Sequence, residues 1–163
     1  MEYFDVVDIN RNKINKILPR GSKLNPNEFN VGIEVWITNS YNQLLLTQRS
    51  SLKSHPLQWE CPGGCLISGE TSKQAVIREI KEEIGLDIST ENFKFITTSL
   101  YKYQFIDIYT IKIDIDSNKL CFQEDEVVDA KWVSISDFLV LHSKNQIVPS
   151  VYQRYNLIKE KLF

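Results

Sequence analysis

The strongest hydrophobic rhythm in the chain lies between Ala75 and Ile84, where Val76, Ile80 and Ile84 recur every four residues with Ala75 and Ile77 beside them. That spacing predicts a helix packed on a core by one stripe. Thr71 and Gln74 have the form of a capping box, so the helix should start near Ser72. Gly85 suits the left-handed residue that closes a helix. A period of two replaces it further on: Tyr109, Ile111, Ile113 and Ile115 alternate with Thr110, Lys112, Asp114 and Asp116, which predicts a half-buried strand before a turn at Ser117-Asn118. Val31–Thr38 and Gln43–Gln48 read as a hairpin around Asn39 to Asn42, and Phe4 to Ile14 as another that turns at Asn10 to Asn12. Arg20 to Glu28 reads as a loop, and Phe93–Leu100 and Val127–Val133 as further strands. Ser136 is expected to cap a short helix through about Leu141. Pro149-Ser150 should open a last helix, whose Val151, Tyr155, Ile158 and Leu162 pack it on the sheet.

The polar side of the 72–84 helix is less ordinary. Glu79, Glu82 and Glu83 fall in one arc at about 100° per residue, with Glu83 closest to the apolar edge and therefore least solvated. Like charges three or four residues apart cost roughly 0.2–0.5 kcal/mol per pair, and these glutamates make two such pairs. A hard divalent cation such as Mg²⁺ is the natural neutraliser. Arg78 lies at the far side of the arc, where it can pair with Glu70 across the loop–helix junction. Upstream, Trp59-Glu60-Cys61-Pro62-Gly63-Gly64 is a strong turn signal, and its paired glycines let backbone approach an ion or phosphate closely. A bare E-x-x-E-E would read as a solvated helix face, but the surrounding spacing argues against that.

Taken together, Gly64, Glu70, Arg78, Glu79, Glu82, Glu83 and Gly85 match G-x5-E-x7-R-E-U-x-E-E-x-G-U at every specified position (U an aliphatic residue). The chain thus resembles the Nudix hydrolases. The resemblance implies an α/β (α+β) fold: an α/β/α sandwich with a mixed central sheet, in which residues 64–86 form a loop–helix–loop that binds Mg²⁺ or Mn²⁺. It implies Glu79, Glu82 and Glu83 as metal ligands, Gly63 as a carbonyl ligand, and Arg78 and Glu70 as residues that organise them. The implied reaction is attack by water on a diphosphate bridge in a nucleoside diphosphate linked to another group. Some family members draw a carboxylate from a later loop. Glu124, Asp125 and Glu126 precede the 127–133 strand, and Glu126 is the candidate there for a metal ligand or general base.

Residues 1–29 form the N-terminal hairpin and loop, and the succession of Phe4–Ile14, Arg20-Gly21, Val31–Thr38 and Leu44–Arg49 resembles the branch that includes isopentenyl-diphosphate isomerase and its hydrolase relatives. Isomerase-like activity is therefore one alternative, although the intact box and the missing His/Cys arrangement both point to hydrolysis. A nucleotide-binding module without turnover is another, and such modules usually lose box glutamates. Substrate contacts are expected from Trp59, Tyr101 and Tyr103, whose rings can stack a base or pack in the fold. No residue identifies the base, sugar or leaving group.

Composition narrows the partners. At 163 residues with 42% hydrophobic and 25% charged residues, the chain is expected to be one soluble globular domain. A net charge of −2 without a basic stripe gives no reason to expect a nucleic-acid polymer. The first residues lack a basic-then-apolar leader and no run reaches membrane-spanning length, so a cytoplasmic location with no membrane partner is expected. Cys61, Cys65 and Cys121 imply no disulfide framework, and without C-x2-C pairs no zinc site. Cys61 as a nucleophile has no activating base in the sequence. The resemblance allows a homodimer, a common assembly in the family.

Overall fold

In the computed structural model, which describes residues 1–163, an N-terminal hairpin of β1 (Tyr3–Val7) and β2 (Lys13–Pro19) precedes a mixed sheet. The remaining strands are β3 (Asn30–Thr38), β4 (Leu44–Arg49), β5 (Trp59–Glu60), β6 (Phe93–Tyr101), β7 (Gln104–Lys112) and β8 (Val127–Val133). The sheet runs β5-β4-β3-β7-β6, with β8 paired to β4. β3 and β7 are parallel from Asn30↔Gln104 to Thr38↔Lys112, and the other pairings are antiparallel. β3 and β4 meet only at Thr38↔Leu44. Beyond that point the chain after β5 takes β4's place beside β3: Ile33 N donates to Gly64 O at 2.8 Å and Val35 N to Pro62 O at 2.9 Å.

Helix α1 (Ser72–Ile84) covers one face and helices α2 (Ile135–Ser143) and α3 (Pro149–Ile158) the other, which makes an α/β/α sandwich. The core under α1 joins Val76, Ile80 and Ile84 to Val35, Ile37 and Tyr109. The opposite core joins Trp36, Leu44, Leu46 and Ile108 to Phe138, Val151, Tyr155 and Ile158. Helix α1 starts and stops where its sequence says: Thr71 and Gln74 form a reciprocal capping box, and Gly85 closes the helix at φ 74°. No helix is long and apolar enough to cross a membrane.

Two expectations are corrected. The strand expected from the alternation at 109–116 is β7, and it runs from Gln104 to Lys112. As a central strand it is covered on both faces, so Phe105 to Tyr109 are all buried and the period of two disappears where the strand is most regular. Helix α2 is capped by Ser134, whose Oγ accepts from Asp137 N at 3.1 Å, and not by Ser136, which lies inside the helix.

Two polar anchors hold the layers in register. Glu34 on β3 is buried and accepts from Trp36 Nε1 at 2.8 Å and from Arg154 of α3, whose Nε lies at 2.8 Å. Asp107 on β7 is also buried. It accepts a forked pair from Arg11 in the hairpin turn at 2.7 Å each, together with Thr98 Oγ1 at 2.7 Å and Ser72 Oγ at the start of α1. The hairpin also grips the loop before α1. Asp5 accepts from Ser68 Oγ at 2.7 Å and Gly69 N at 3.0 Å, and Ser68 N donates to Tyr3 O.

Arg154→Met should cost about 3–5 kcal/mol in urea denaturation, because it leaves the Glu34 charge buried without its cation. Burial acts to raise the Asp107 carboxyl, but its hydrogen bonds from Arg11, Ser72 and Thr98 hold it below the usual range. Its folded pKa is thus depressed, so its contribution is present above the ordinary carboxylate pKa and lost as pH falls through the lower, folded value. Thermal melts of wild type and Asp107→Asn should therefore differ most near neutrality and converge in acid.

Candidate functional site

The box helix carries its glutamates on the flank next to the core stripe, so the fold buries them by geometry. Glu83 and Glu79 are 3% and 7% exposed, whereas the Glu82 side chain stays 45% exposed. As expected from the helical arc, Glu83 is the least solvated of the three. Arg78 organises the helix side of the group. Its Nε and Nη2 each donate to Glu70 at 2.9 Å, Nη2 also to Cys65 O at 3.0 Å, and Nη1 to Glu79 at 2.8 Å and Glu82 at 3.0 Å. One guanidinium thus ties the loop to two box carboxylates.

Gly63 and Gly64 are glycines for reasons of space. A Cβ on Gly64 would stand 2.2 Å from Glu79 Oε1, and one on Gly63 would stand 2.3 Å from the Ile33 carbonyl oxygen. Gly63 N donates to Glu83 Oε2 at 3.0 Å. The carbonyls of Pro62 and Gly64 are taken by β3, while the Gly63 carbonyl between them accepts no hydrogen bond.

Glu60 and Lys53 complete the cluster, and sequence reasoning missed both. Arg49 Nη1 donates to both oxygens of Glu60, at 2.6 and 2.7 Å. The Lys53 ammonium stands 3.7 Å from Glu60, 3.6 Å from Glu83 and 2.5 Å from Glu126. Of the three acids proposed on the later loop, Glu126 is the one brought to the box through Lys53. The signal for Glu60 was its place two residues before the Pro-Gly-Gly turn. Lys53 carried none, because its position depends on how β4, β5 and β8 pair.

Burial dominates the electrostatics. It raises the carboxyl of Glu83 to about 8, with Glu60 adding repulsion and Lys53 opposing. Burial also raises Glu79 and Glu60, against the pull of Arg78 and Arg49 respectively. Six carboxylates (Glu60, Glu70, Glu79, Glu82, Glu83, Glu126) here face three cations, Arg49, Lys53 and Arg78. The donor set of hard oxygens, its excess of carboxyl groups over cations and the unengaged Gly63 carbonyl all fit a divalent cation. The carboxylates do not stand converged, since no three His, Cys, Asp or Glu groups lie at ligating spacing. Cys61 is buried with its thiol raised well above the ordinary value by burial, so it carries no nucleophile.

A cavity of about 340 Å³ opens beside Gly63 and Gly64, and Arg20, Arg49, Lys53 and Arg154 line it. A second, of about 490 Å³, shares Arg49, Glu60, Gln104 and Arg154 and extends to His55, Tyr101 and Pro149. Tyr101 therefore lies on a cavity wall, with Lys102 Nζ 5.2 Å from its ring centre. The structure brings neither Trp59 nor Tyr103 to these cavities. Trp59 sits in the core with Lys131 Nζ 3.9 Å over its ring, and Tyr103 is exposed beyond the end of β6.

Residues 28–155 match the model of the NUDIX domain. An uncharacterised Nudix hydrolase of Listeria monocytogenes is 34% identical over 96% of this chain and 95% of its own. Among solved structures, a Deinococcus radiodurans protein superposes with a TM-score of 0.76 at 20% identity, over 90% of this chain and 92% of that one. A bifunctional NMN adenylyltransferase/ADP ribose pyrophosphatase from Francisella tularensis, complexed with AMP and a Mn ion, superposes with a TM-score of 0.64 at 20% identity. That match covers 86% of this chain and 43% of the larger one.

The two glycines should respond differently to alanine. In Gly63→Ala the new methyl meets backbone, and urea denaturation should show a loss of about 1–3 kcal/mol. In Gly64→Ala it meets the end of a flexible side chain, so stability should stay closer to wild type while the Glu79 carboxylate is displaced and turnover falls.

Proposed function

The chain belongs to the Nudix hydrolase family, and on that premise we propose that it hydrolyses the diphosphate bridge of a nucleoside diphosphate derivative with the aid of Mg²⁺ or Mn²⁺. Nucleoside triphosphates, nucleotide sugars and related small molecules are the substrate class. The observation that carries this reading is a set of carboxyl groups that outnumber their cations, with Glu79 and Glu83 buried, beside a cavity lined by Arg20, Arg49, Lys53 and Arg154. Glu79, Glu82, Glu83, Glu126 and the Gly63 carbonyl would hold the ion. When bound, it would polarise phosphoryl oxygens and lower the pKa of water.

The chain's own residues supply positioning, which phosphoryl transfer needs most. Arg78, through Glu70 and the Cys65 carbonyl, fixes the loop against the helix and orients Glu79 and Glu82. The cavity's arginines face the anionic bridge. Glu126 is partly solvated, with its side chain 27% exposed, which suits a group that accepts a proton from water. Tyr101 offers a face to the group beyond the diphosphate. The Francisella neighbour, a bifunctional NMN adenylyltransferase/ADP ribose pyrophosphatase complexed with AMP and a Mn ion, is consistent with both the ion and the substrate class.

Glu82→Gln and Glu83→Gln should each lower turnover by orders of magnitude while thermal melts show a folded protein. The measurement is product release from nucleoside triphosphates, nucleotide sugars and isopentenyl diphosphate, with Mg²⁺ and with chelator. Chelator-sensitive release of a nucleoside monophosphate is the expected outcome. Full turnover in a folded Glu82→Gln/Glu83→Gln double variant would remove the metal-site assignment. Rearrangement of isopentenyl diphosphate without phosphate release would establish the isomerase alternative, and saturable binding without product the non-catalytic one.

A further inference from the structure

Lys53 lies at the centre of the candidate site, and its role goes beyond lining a cavity. Its ammonium enters from the loop between β4 and β5 and meets carboxylates from three other elements: Glu60 of β5, Glu83 of α1 and Glu126 of the loop before β8. The side chain is 16% exposed. Two things separate it from the site's guanidiniums. Arg49 is fastened by a fork to Glu60 and by Nε to the Ser54 carbonyl at 2.6 Å, and Arg78 is fastened to four groups. Lys53 makes one close contact, to Glu126, while Glu60 and Glu83 stand beyond hydrogen-bond distance, and its flexible four-carbon stem leaves the charge free to move. It also borders the 340 Å³ cavity, so a place for the displaced ammonium already exists next to its present one.

We propose that Lys53 is an internal placeholder for the divalent cation: it stands among Glu60, Glu83 and Glu126 in the metal-free protein, yields Glu83 and Glu126 to the ion, and turns into the adjoining cavity to bind a phosphate oxygen of the substrate. The proposal rests on the metal-site reading above. The charge arithmetic favours exchange over addition. An ammonium and a dication would repel strongly across the few ångströms that the shared carboxylates allow, so the ion enters as the lysine leaves. Metal uptake then frees the donor that the diphosphate needs, and a single side chain links the two binding events.

Mn²⁺ binding without substrate, followed through the electron paramagnetic resonance of the free ion, provides the test. Lys53→Met should bind Mn²⁺ about tenfold more tightly than wild type, since a competing unit charge has been removed. The same variant should bind inorganic pyrophosphate in Mg²⁺ about tenfold more weakly. A lysine with a merely structural role would weaken Mn²⁺ binding when removed, so equal or weaker Mn²⁺ affinity in Lys53→Met overturns the proposal. A second measurement on wild type needs no variant. Acetylation of Lys53 followed by mass spectrometry should be several-fold faster in Mg²⁺ than in chelator, and an unchanged or slower rate also overturns it. Glu83→Gln separates the two levels. If wild type fails to bind Mn²⁺, or Glu83→Gln binds it as well as wild type does, the metal-site reading falls and takes the proposal with it. If wild type binds, Glu83→Gln does not, and Lys53→Met binds no more tightly, the role of Lys53 alone is removed.

Discussion

Burying ionisable carboxylates on the flank of a helix that must also pack on a sheet is the constraint around which this molecule is arranged. The two demands pull against each other, because the positions nearest the core stripe of α1 are the ones where a charge is least solvated. Arg78 resolves the conflict on the helix side: its five donors reach the loop and two box glutamates together. Lys53 and Arg49 do so on the strand side. Neither set of cations matches the carboxyl groups in number, and the proposed metal site rests on that imbalance.

Legibility from the sequence followed the range over which each feature is determined. Helix α1, its capping box, its closing glycine and the Arg78–Glu70 pair are fixed within about twenty residues, and all could be read directly. Glu83 could be ranked the least solvated from the helical arc alone. Strand β7 was placed too late in the chain because burial on both faces erases alternation where the strand is most central. Helix α2 offered two serines two residues apart, and only the backbone shows that Ser134 makes the cap. Lys53 and Glu60 lay out of reach for a different reason: their meeting depends on the register of β4 with β5 and β8, which no local pattern encodes. For Trp59, whose ring could stack a base or pack, the fold decides: the ring lies in the core.

The divergence of β3 and β4 explains why the site lies where it does. Once the two strands part after Thr38↔Leu44, the open edge of β3 is completed by the Pro62–Leu66 segment. Gly63 and Gly64 are thereby pressed between β3 and α1, and the same hydrogen bonds that finish the sheet leave one glycine carbonyl unengaged. Sheet topology and site chemistry here share the same atoms.

The N-terminal hairpin has a consequence for where this protein's working unit begins. The stretch that matches the family model starts at residue 28, yet Asp5 holds the loop before the box helix and Arg11 holds the aspartate on which the first residue of that helix leans. A chain cut back to the matched stretch would keep every box glutamate and lose the two clasps that fix the angle at which the helix leaves its loop. The border of the family model and the border of mechanical support therefore lie in different places, and a minimal version of this protein should be drawn at the second.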